Sequence, residues 1–202
     1  MTDKKKGVRT ARDWSALDIL CDQFMHDMAA LNPIAATDWG LPGDPGALPD
    51  LSPEGLQERV DLNAAMLLAL EDVELVDETD RITAAALKDR LEVEIRLFDA
   101  GELYADLNNI ASPIQYLRDV FSLMPTETVS DWRNIVARLN AIPDALLGYK
   151  KSLRQGLREG VVAAQRQVRI GMDQAKTLSD PSGYFGQLIR RCPGSVRDEI
   201  GQ

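Results

Sequence analysis

Ala111-Ser112-Pro113-Ile114-Gln115 opens the stretch that decides the fold of this 202-residue chain, and the stretch runs to Arg166-Gln167-Val168. Ser112 can cap a helix N-terminus, Pro113 has the backbone geometry of a first helical residue, and Gln115 completes a capping box with the serine. The rest of the stretch holds further helix boundaries and few side chains with catalytic chemistry. It therefore indicates consecutive α-helices.

Capping residues, prolines and glycines divide the rest of the chain in the same way. Ser52-Pro53, Thr79-Asp80 and Ser130-Asp131 are typical helix starts, while Pro143 restarts a helix and Gly160 ends one. The expected long helices cover residues 13–31, 52–75, 79–100, 112–124, 130–142, 143–159 and 161–178, with short ones at 33–39 and 184–191. Because no segment alternates apolar and polar residues between hairpin turns, the predicted fold class is all-α, an array of about seven helices without a sheet.

Apolar residues at three- and four-residue steps predict which helix faces are buried. In the first helix Leu17, Phe24 and Met28 lie on one such stripe. The helix before Gly101 carries apolar residues on two flanks, which predicts that neighbours cover it on two sides. Its flanks are formed by Leu87, Leu91, Ile95 and Phe98, and by Val93 and Leu97. In the helix after Gly160 the predicted inner residues are Val161, Val168, Met172 and Ala175.

Composition limits the class of protein. Apolar residues make up 45% of the chain and charged residues 27%, as in a globular domain. The net charge of −9 argues against general nucleic-acid binding. No apolar run approaches about 18 residues, so we expect no membrane-spanning helix.

The ends of the chain indicate a cytoplasmic protein. Residues 1–12 are basic and no apolar segment follows them, which favours a mobile tail ahead of a helical domain at 13–202 over a secretory signal. Cys21 and Cys192 are far apart and lack CxxC spacing, which is typical of reduced thiols. A disulfide between these two cysteines is the alternative.

The sequence offers no catalytic constellation. Its single histidine, His26, falls away from the apolar stripe of its helix, so we interpret it as a surface residue. A metal-binding or acid–base role for His26 is the alternative. A catalytic zinc site uses three protein ligands, and neither a Ser/Cys triad nor a phosphate-binding glycine loop is present. We therefore assign no catalytic, cofactor-binding or metal-ligating residue.

The charged groups have structural interpretations. The acidic run Glu71–Asp80 lacks the spacing of a calcium loop and is interpreted as a solvated helix end and loop. Arg90 and Glu94 are predicted to form a partly buried ion pair, with a cleft-lining role as the alternative. The basic residues between Lys150 and Arg169 are expected to pair with acidic surface in preference to binding phosphate or nucleic acid.

Gly156 and Gly160 lie four residues apart on one flank of a predicted helix. Glycine inside a helix costs about 1 kcal/mol relative to alanine, so its presence there needs a compensating reason. Close packing of a neighbouring helix is one interpretation. A simple break of the helix at Gly160 is the other.

An ordered set of short stretches resembles the bacterial family known as domain of unknown function 885. The set covers most of residues 13–170. It comprises Leu31-Asn32-Pro33-Ile34-Ala35-Ala36-Thr37 with Gly40, Leu48-Pro49-Asp50-Leu51-Ser52-Pro53-Glu54-Gly55, Ser112-Pro113, Val120-Phe121-Ser122-Leu123-Met124-Pro125-Thr126-Glu127-Thr128, Asp131-Trp132, Arg138-Leu139, Ile142-Pro143 and Leu153-Arg154-Gln155-Gly156-Leu157-Arg158-Glu159-Gly160.

The resemblance implies an all-helical, zinc-metallopeptidase-like fold more than twice this length, whose His-Glu motif lies in the C-terminal half. The resemblance implies that full-length members of the family bind zinc. No residue of this sequence corresponds to one of their zinc ligands. This chain would then be the N-terminal portion, and we expect it to be inactive alone.

Two functional hypotheses follow from the resemblance and from the apolar stripes. The chain is either the cleft- or lid-forming helical portion of a metallopeptidase-like hydrolase, or a stand-alone helical interaction protein or truncated gene product without catalytic activity. Since each amphipathic stripe needs a neighbour, we expect an exposed apolar face. The expected partner on that face is the C-terminal half of the family fold or a second copy of the chain, and neither nucleic acid nor a membrane.

Overall fold

A computed structural model describes residues 12–200, without the side chains of residues 195, 199 and 200. Within these residues all regular structure is helical and no strand occurs, which confirms the all-α fold class. The α-helices are α1 (Ala16–Leu31), α2 (Pro33–Trp39), α3 (Pro53–Asp72), α4 (Glu78–Asp99), α5 (Pro113–Asp119), α6 (Val129–Glu159), α7 (Gln165–Ser179), α8 (Tyr184–Arg191) and α9 (Gly194–Ile200). Short 3-10 helices cover Glu102–Ala105 and Val120–Ser122.

The first half of the chain packs α3 against both α1 and α4. Leu17 of α1 is fully buried, and Phe24 and Met28 are half-buried, so the predicted stripe of this helix is confirmed. On α3, Val60 and Met66 are buried. Burial of such apolar side chains is the main favourable term that holds the three helices together.

The start of α1 is fixed by an arginine that we had assigned to the mobile tail. The Arg12 guanidinium forms ion pairs with Asp18, Asp77 and Asp80 at 2.7, 2.9 and 2.8 Å. Residues 1–11, the rest of that tail, lie outside the described residues. Arg12 therefore ties the segment before α1 to the start of α4.

A second core lies between the first half of α6 and the C-terminal helices. Ile135 at its centre is completely buried. The core consists of Val120, Phe121, Met124, Trp132, Ile135, Leu188, Cys192 and Val196. Because these residues come from positions 120–135 and 188–196, α8 and α9 close over residues that precede them by more than fifty positions in the chain.

The predicted restart at Pro143 is wrong, since α6 continues through this proline from Val129 to Glu159. A proline inside a helix removes one backbone hydrogen bond and crowds the preceding turn. Here the flanking turns are held by packing: Leu139 and Ile142 contact the second core, and Ala145 and Tyr149 are buried beyond the proline. Tertiary packing on both sides outweighs the local cost.

Two predicted helix faces are wrong in part. On the second flank of α4, Leu97 is 38% exposed, while Val93 is half-buried. Of the residues predicted to face inward after Gly160, Val161 and Val168 are half-buried, but Met172 and Ala175 are exposed. The buried residue of α7 is Gly171, whose α-carbon faces Leu107 and Ile114. The contact with α5 rotates α7 away from the orientation that its apolar residues predicted.

A further helix follows the last one that the sequence predicts, which covers residues 184–191. This additional helix, α9, spans Gly194–Ile200. Pro193 O accepts hydrogen bonds from the backbone N–H groups of Val196 and Arg197 at 3.1 and 2.9 Å, and Val196 is buried in the second core. A helix this short carries too few apolar residues for a periodic pattern. Residues 201 and 202 lie outside the described residues.

Both glycines of the 156/160 pair have a structural role. Gly160, at φ 78°, is the left-handed C-cap of α6. A Cβ at Gly156 would lie 2.6 Å from Val161 O and 2.9 Å from Tyr104 O, so α6 contacts the backbone of the Glu102–Ala105 helix closely. The close-packing interpretation holds for Gly156 and the helix-break interpretation for Gly160.

Gly156→Ala is expected to lower the free energy of unfolding by about 1–3 kcal/mol, because the new methyl group meets rigid backbone on two sides. The matched control is Gly171→Ala in α7, where a Cβ meets the flexible end of Leu107 at 3.2 Å. That variant should be neutral or gain up to about 1 kcal/mol of helix propensity. Urea unfolding of both variants measures the difference, and equal effects would contradict the close contact at Gly156.

Candidate functional site

A cleft of about 440 Å³ opens between α2, α3, α5, the middle of α6 and the 3-10 helices. Its size falls in the range of small-ligand sites, and its lining is mostly apolar with a few polar groups. The lining residues are Asn32, Ile34, Ala35, Asp38, Trp39, Pro49, Leu51, Leu56, Arg59, Leu103, Asp106, Pro113, Tyr116, Leu117, Asp119, Val120, Leu123, Tyr149 and Ser152.

One wall of the cleft is held by Arg138, a fully buried residue of α6. Its guanidinium donates to Ala47 O at 3.0 Å, Thr37 Oγ1 at 3.0 Å, Pro33 O at 3.3 Å and Asp44 O at 3.4 Å. Burial lowers the pKa of this guanidinium, and the Asp44 charge opposes that effect. Since α2 and the loop after it supply the wall, Arg138 fixes both to α6.

The opposite end of the cleft is held by two hydroxyl groups of α6. Ser152 Oγ donates to Leu51 O at 2.6 Å, and the Tyr149 hydroxyl donates to Asp106 O at 2.6 Å. Burial, together with the Asp106 charge, raises the pKa of Tyr149, so this phenol stays a protonated donor. These bonds set the positions of Leu51 and Asp106 in the lining.

Arg59 is the unusual residue of the cleft. It is half-buried on α3, and its Nε is inaccessible to solvent and has no hydrogen-bond partner. Burial lowers the pKa of its guanidinium, while the charges of Glu94 and Asp106 raise it in part. Among the described residues neither carboxylate comes within ion-pair distance of Arg59. The Arg59 guanidinium in the cleft therefore has N–H donors for which no described residue supplies an acceptor.

Asp106 is the acidic neighbour of Arg59. Burial raises the pKa of its carboxyl group, and the Arg59 charge lowers it in part. Tyr116 across the cleft has a pKa raised by burial and by the Asp106 charge. The charged groups inside the cleft are thus the guanidinium of Arg59 and the half-buried carboxyl group of Asp106.

The residues that drew attention in the sequence lie elsewhere. His26 is on the surface, with its side chain 42% exposed and Nδ1 2.9 Å from Asp22 O. Arg90 and Glu94 are both exposed, so the predicted buried ion pair is wrong. The solvated interpretation of the acidic run is wrong for Asp80, which is fully buried.

The important arginines carried a weak signal that sequence reasoning missed. Arg59 is flanked by buried Leu56 and Val60, and Arg138 follows buried Ile135 by three residues. A charged residue inside an apolar stripe is unusual, because burial of an unpaired charge is costly. The position of each arginine within an apolar stripe was therefore the feature of the sequence that indicated burial.

A second, apolar groove of about 400 Å³ lies between α5, α6, α7 and α8. Leu146 and Ile189 in its lining are 41% and 53% exposed. Its other apolar lining residues include Ile114, Leu139, Ile142 and Leu178.

Neither a metal site nor a membrane span is found in the part of the chain that the structure describes. No group of three or more His, Cys, Asp or Glu side chains there could hold a metal ion. None of the helices in this part is long and apolar enough to cross a bilayer.

The comparisons with known proteins identify a family. No curated protein matches this chain. The family model described as "Bacterial protein of unknown function (DUF885)" matches residues 33–197, a span that starts and ends later than the stretches at 13–170 which carried the resemblance. Because this match covers most of the 202 residues, the chain belongs to the DUF885 family.

Proposed function

We propose that this chain is the cleft-forming helical portion of a metallopeptidase-like hydrolase and that its cleft binds the substrate. The observation that carries the proposal is the cleft itself, in which Arg59, Asp106 and Tyr149 converge between apolar walls. Converging polar groups in a mostly apolar concave site are the usual features of a ligand-binding pocket.

The zinc of the family resemblance does not fit the described residues. A catalytic zinc needs three protein ligands. His26 has only the Asp22 carboxylate near it, at 3.6 Å, and the described carboxyl groups of the cleft form no cluster suited to a metal. We therefore derive no catalytic step through a metal in this chain and assign its residues to binding and positioning.

Within that role, some side chains hold the shape of the cleft and others contact the ligand. Arg138 and Ser152 hold the two ends of the cleft through their bonds to backbone carbonyls. Arg59 supplies hydrogen-bond donors to the ligand, and the apolar lining excludes water around it. A ligand bound in this way is oriented for a reactive group supplied from outside residues 12–200.

The test compares the 202-residue chain with the product of the longest reading frame that contains it. We expect the 202-residue chain to retain no stoichiometric zinc after dialysis and to hydrolyse no peptide in a mixed fluorogenic library. The longer product should retain one zinc and show chelator-sensitive hydrolysis. His26→Ala in the longer product is the control, and it should change neither the zinc content nor the rate.

One equivalent of zinc on the 202-residue chain, or a longer product without zinc, would overturn the proposal. The apolar groove favours a second candidate, a helical interaction protein that pairs with a second copy through Leu146 and Ile189. A stop codon directly after Gln202 together with a stable dimer in light scattering would support that candidate.

A further inference from the structure

We infer that the cleft recognises a free carboxylate through Arg59, and that its ligands are peptides or N-acylated amino acids with an apolar C-terminal residue and an unblocked C-terminus. The inference deepens the proposed function, because it takes the same cleft as the substrate site. It concerns binding alone and needs no catalytic step.

The first argument is the state of the Arg59 guanidinium. Its Nε is buried without a partner and closed to solvent, so a ligand would meet only the terminal nitrogens of the guanidinium. No hydrogen bond or ion pair from these nitrogens to another described residue is found. Buried polar groups are normally hydrogen-bonded, and each exception calls for an explanation. A carboxylate is the natural acceptor, since its two oxygens match the planar fork of a guanidinium.

The second argument is that none of the described carboxylates of the protein forms an ion pair with Arg59. Glu94 is exposed on α4, and Asp106 influences Arg59 only over a distance longer than an ion pair. Burial raises the pKa of Asp106 and the Arg59 charge lowers it in part, without an ion pair between the two groups. A ligand carboxylate can therefore pair with Arg59 without displacing an existing ion pair.

The third argument concerns the rest of the ligand. The rest of the cleft lining is mostly apolar, and includes Ile34, Leu56 and Leu123. Asp38 and Asp119, exposed acidic residues, also line the cleft. One cationic and three acidic side chains disfavour a second negative charge on the ligand, which argues against phosphates and dicarboxylates. A monoanion with an apolar body is the class that remains.

The test measures binding of N-acetyl-Ala-Ala-Leu to the 202-residue chain by NMR titration, beside the same peptide with a C-terminal amide. The free acid should bind about tenfold more tightly than the amide, with shifts of residues that line the cleft. Arg59→Gln should remove this preference, and Arg59→Lys should retain part of it, because lysine keeps the charge without the fork.

The matched control is Arg96→Gln, a substitution of an exposed arginine on α4. It should leave the affinities for both peptides unchanged. The wild-type comparison of acid with amide requires no variant, so it stands even if a substitution at position 59 impairs folding.

Equal affinity of the acid and the amide would overturn the inference, as would a preference that survives in Arg59→Gln. Binding of inorganic phosphate at Arg59 as tightly as the free acid would overturn the monoanion class. These outcomes are separate from those of the proposed function, which depends on zinc and hydrolysis in the longer product. The carboxylate preference is measured at equilibrium and without turnover.

Discussion

Arg138→Met is expected to lower the free energy of unfolding by about 3–5 kcal/mol, because hydrogen bonds from a charged group contribute about 1.5–3 kcal/mol each. Two of the four bonds from this guanidinium are 3.0 Å long and the residue is fully buried. Methionine keeps most of the side-chain packing but removes every donor. In a domain of this size, thermal unfolding should shift down by about 6–20 °C.

The same substitution should loosen the cleft. Backbone amides of α2 and of the loop at 40–51 should exchange with solvent faster, because Ala47 O and Asp44 O lose their tie to α6. Arg138→Lys should fall between wild type and Arg138→Met. Calorimetry and hydrogen exchange measure the two effects.

The matched control is Arg154→Met, an exposed residue of the same helix. Surface substitutions of this kind change stability by no more than about 0.5 kcal/mol. If Arg138→Met proved as stable as Arg154→Met, the four hydrogen bonds would not be holding the wall of the cleft.

Features that depend on neighbouring residues could be predicted from the sequence. Ser52 Oγ accepts from Gly55 N at 3.3 Å, and Gln115 Oε1 accepts from Ser112 N at 2.8 Å, as their spacing indicates. Both contacts lie within one helical turn. The helical fold class and most helix boundaries rest on such local chemistry, and the structure confirms the class.

Features that depend on distant residues could not be predicted in this way. The acceptors of Arg138 lie 91 to 105 positions earlier in the chain, and no local pattern reports such a distance. The prediction that a new helix begins at Pro143 was wrong for a related reason. Tertiary packing outweighs the local tendency of proline to interrupt a helix. The cleft consists of residues from α2 to α6, so Arg59 could be recognised as important only after those helices had been placed together.

Asp80→Asn is expected to cause the second large loss of stability. One carboxylate oxygen accepts from Ser15 Oγ at 3.0 Å and pairs with Arg12 at 2.8 Å, and the other accepts from Val76 N at 3.1 Å. In an asparagine side chain one of these oxygens becomes an NH₂ group, so a donor must face a donor. The loss should exceed that of Asp89→Asn, an exposed substitution on the same helix whose expected effect is no more than about 0.5 kcal/mol.

The pH dependence separates the charge of Asp80 from its packing. Burial alone would raise the pKa of this carboxyl group, but hydrogen bonds from Val76 N, Arg12 and Ser15 outweigh burial and lower it. The pKa in the folded state is thus below the unfolded value of about 3.9. The stability that this carboxylate contributes is then fully present above about pH 5 and is lost as the pH falls through the folded pKa.

The melting-temperature difference between wild type and Asp80→Asn should therefore be constant from about pH 5 to 7 and shrink below about pH 4. Other acidic groups titrate in both proteins, so subtracting one curve from the other isolates Asp80. A difference that persisted undiminished to about pH 2.5 would mean that the ionised carboxylate adds nothing beyond the shape of the side chain. The link that Arg12 makes to the start of α4 would then not depend on charge.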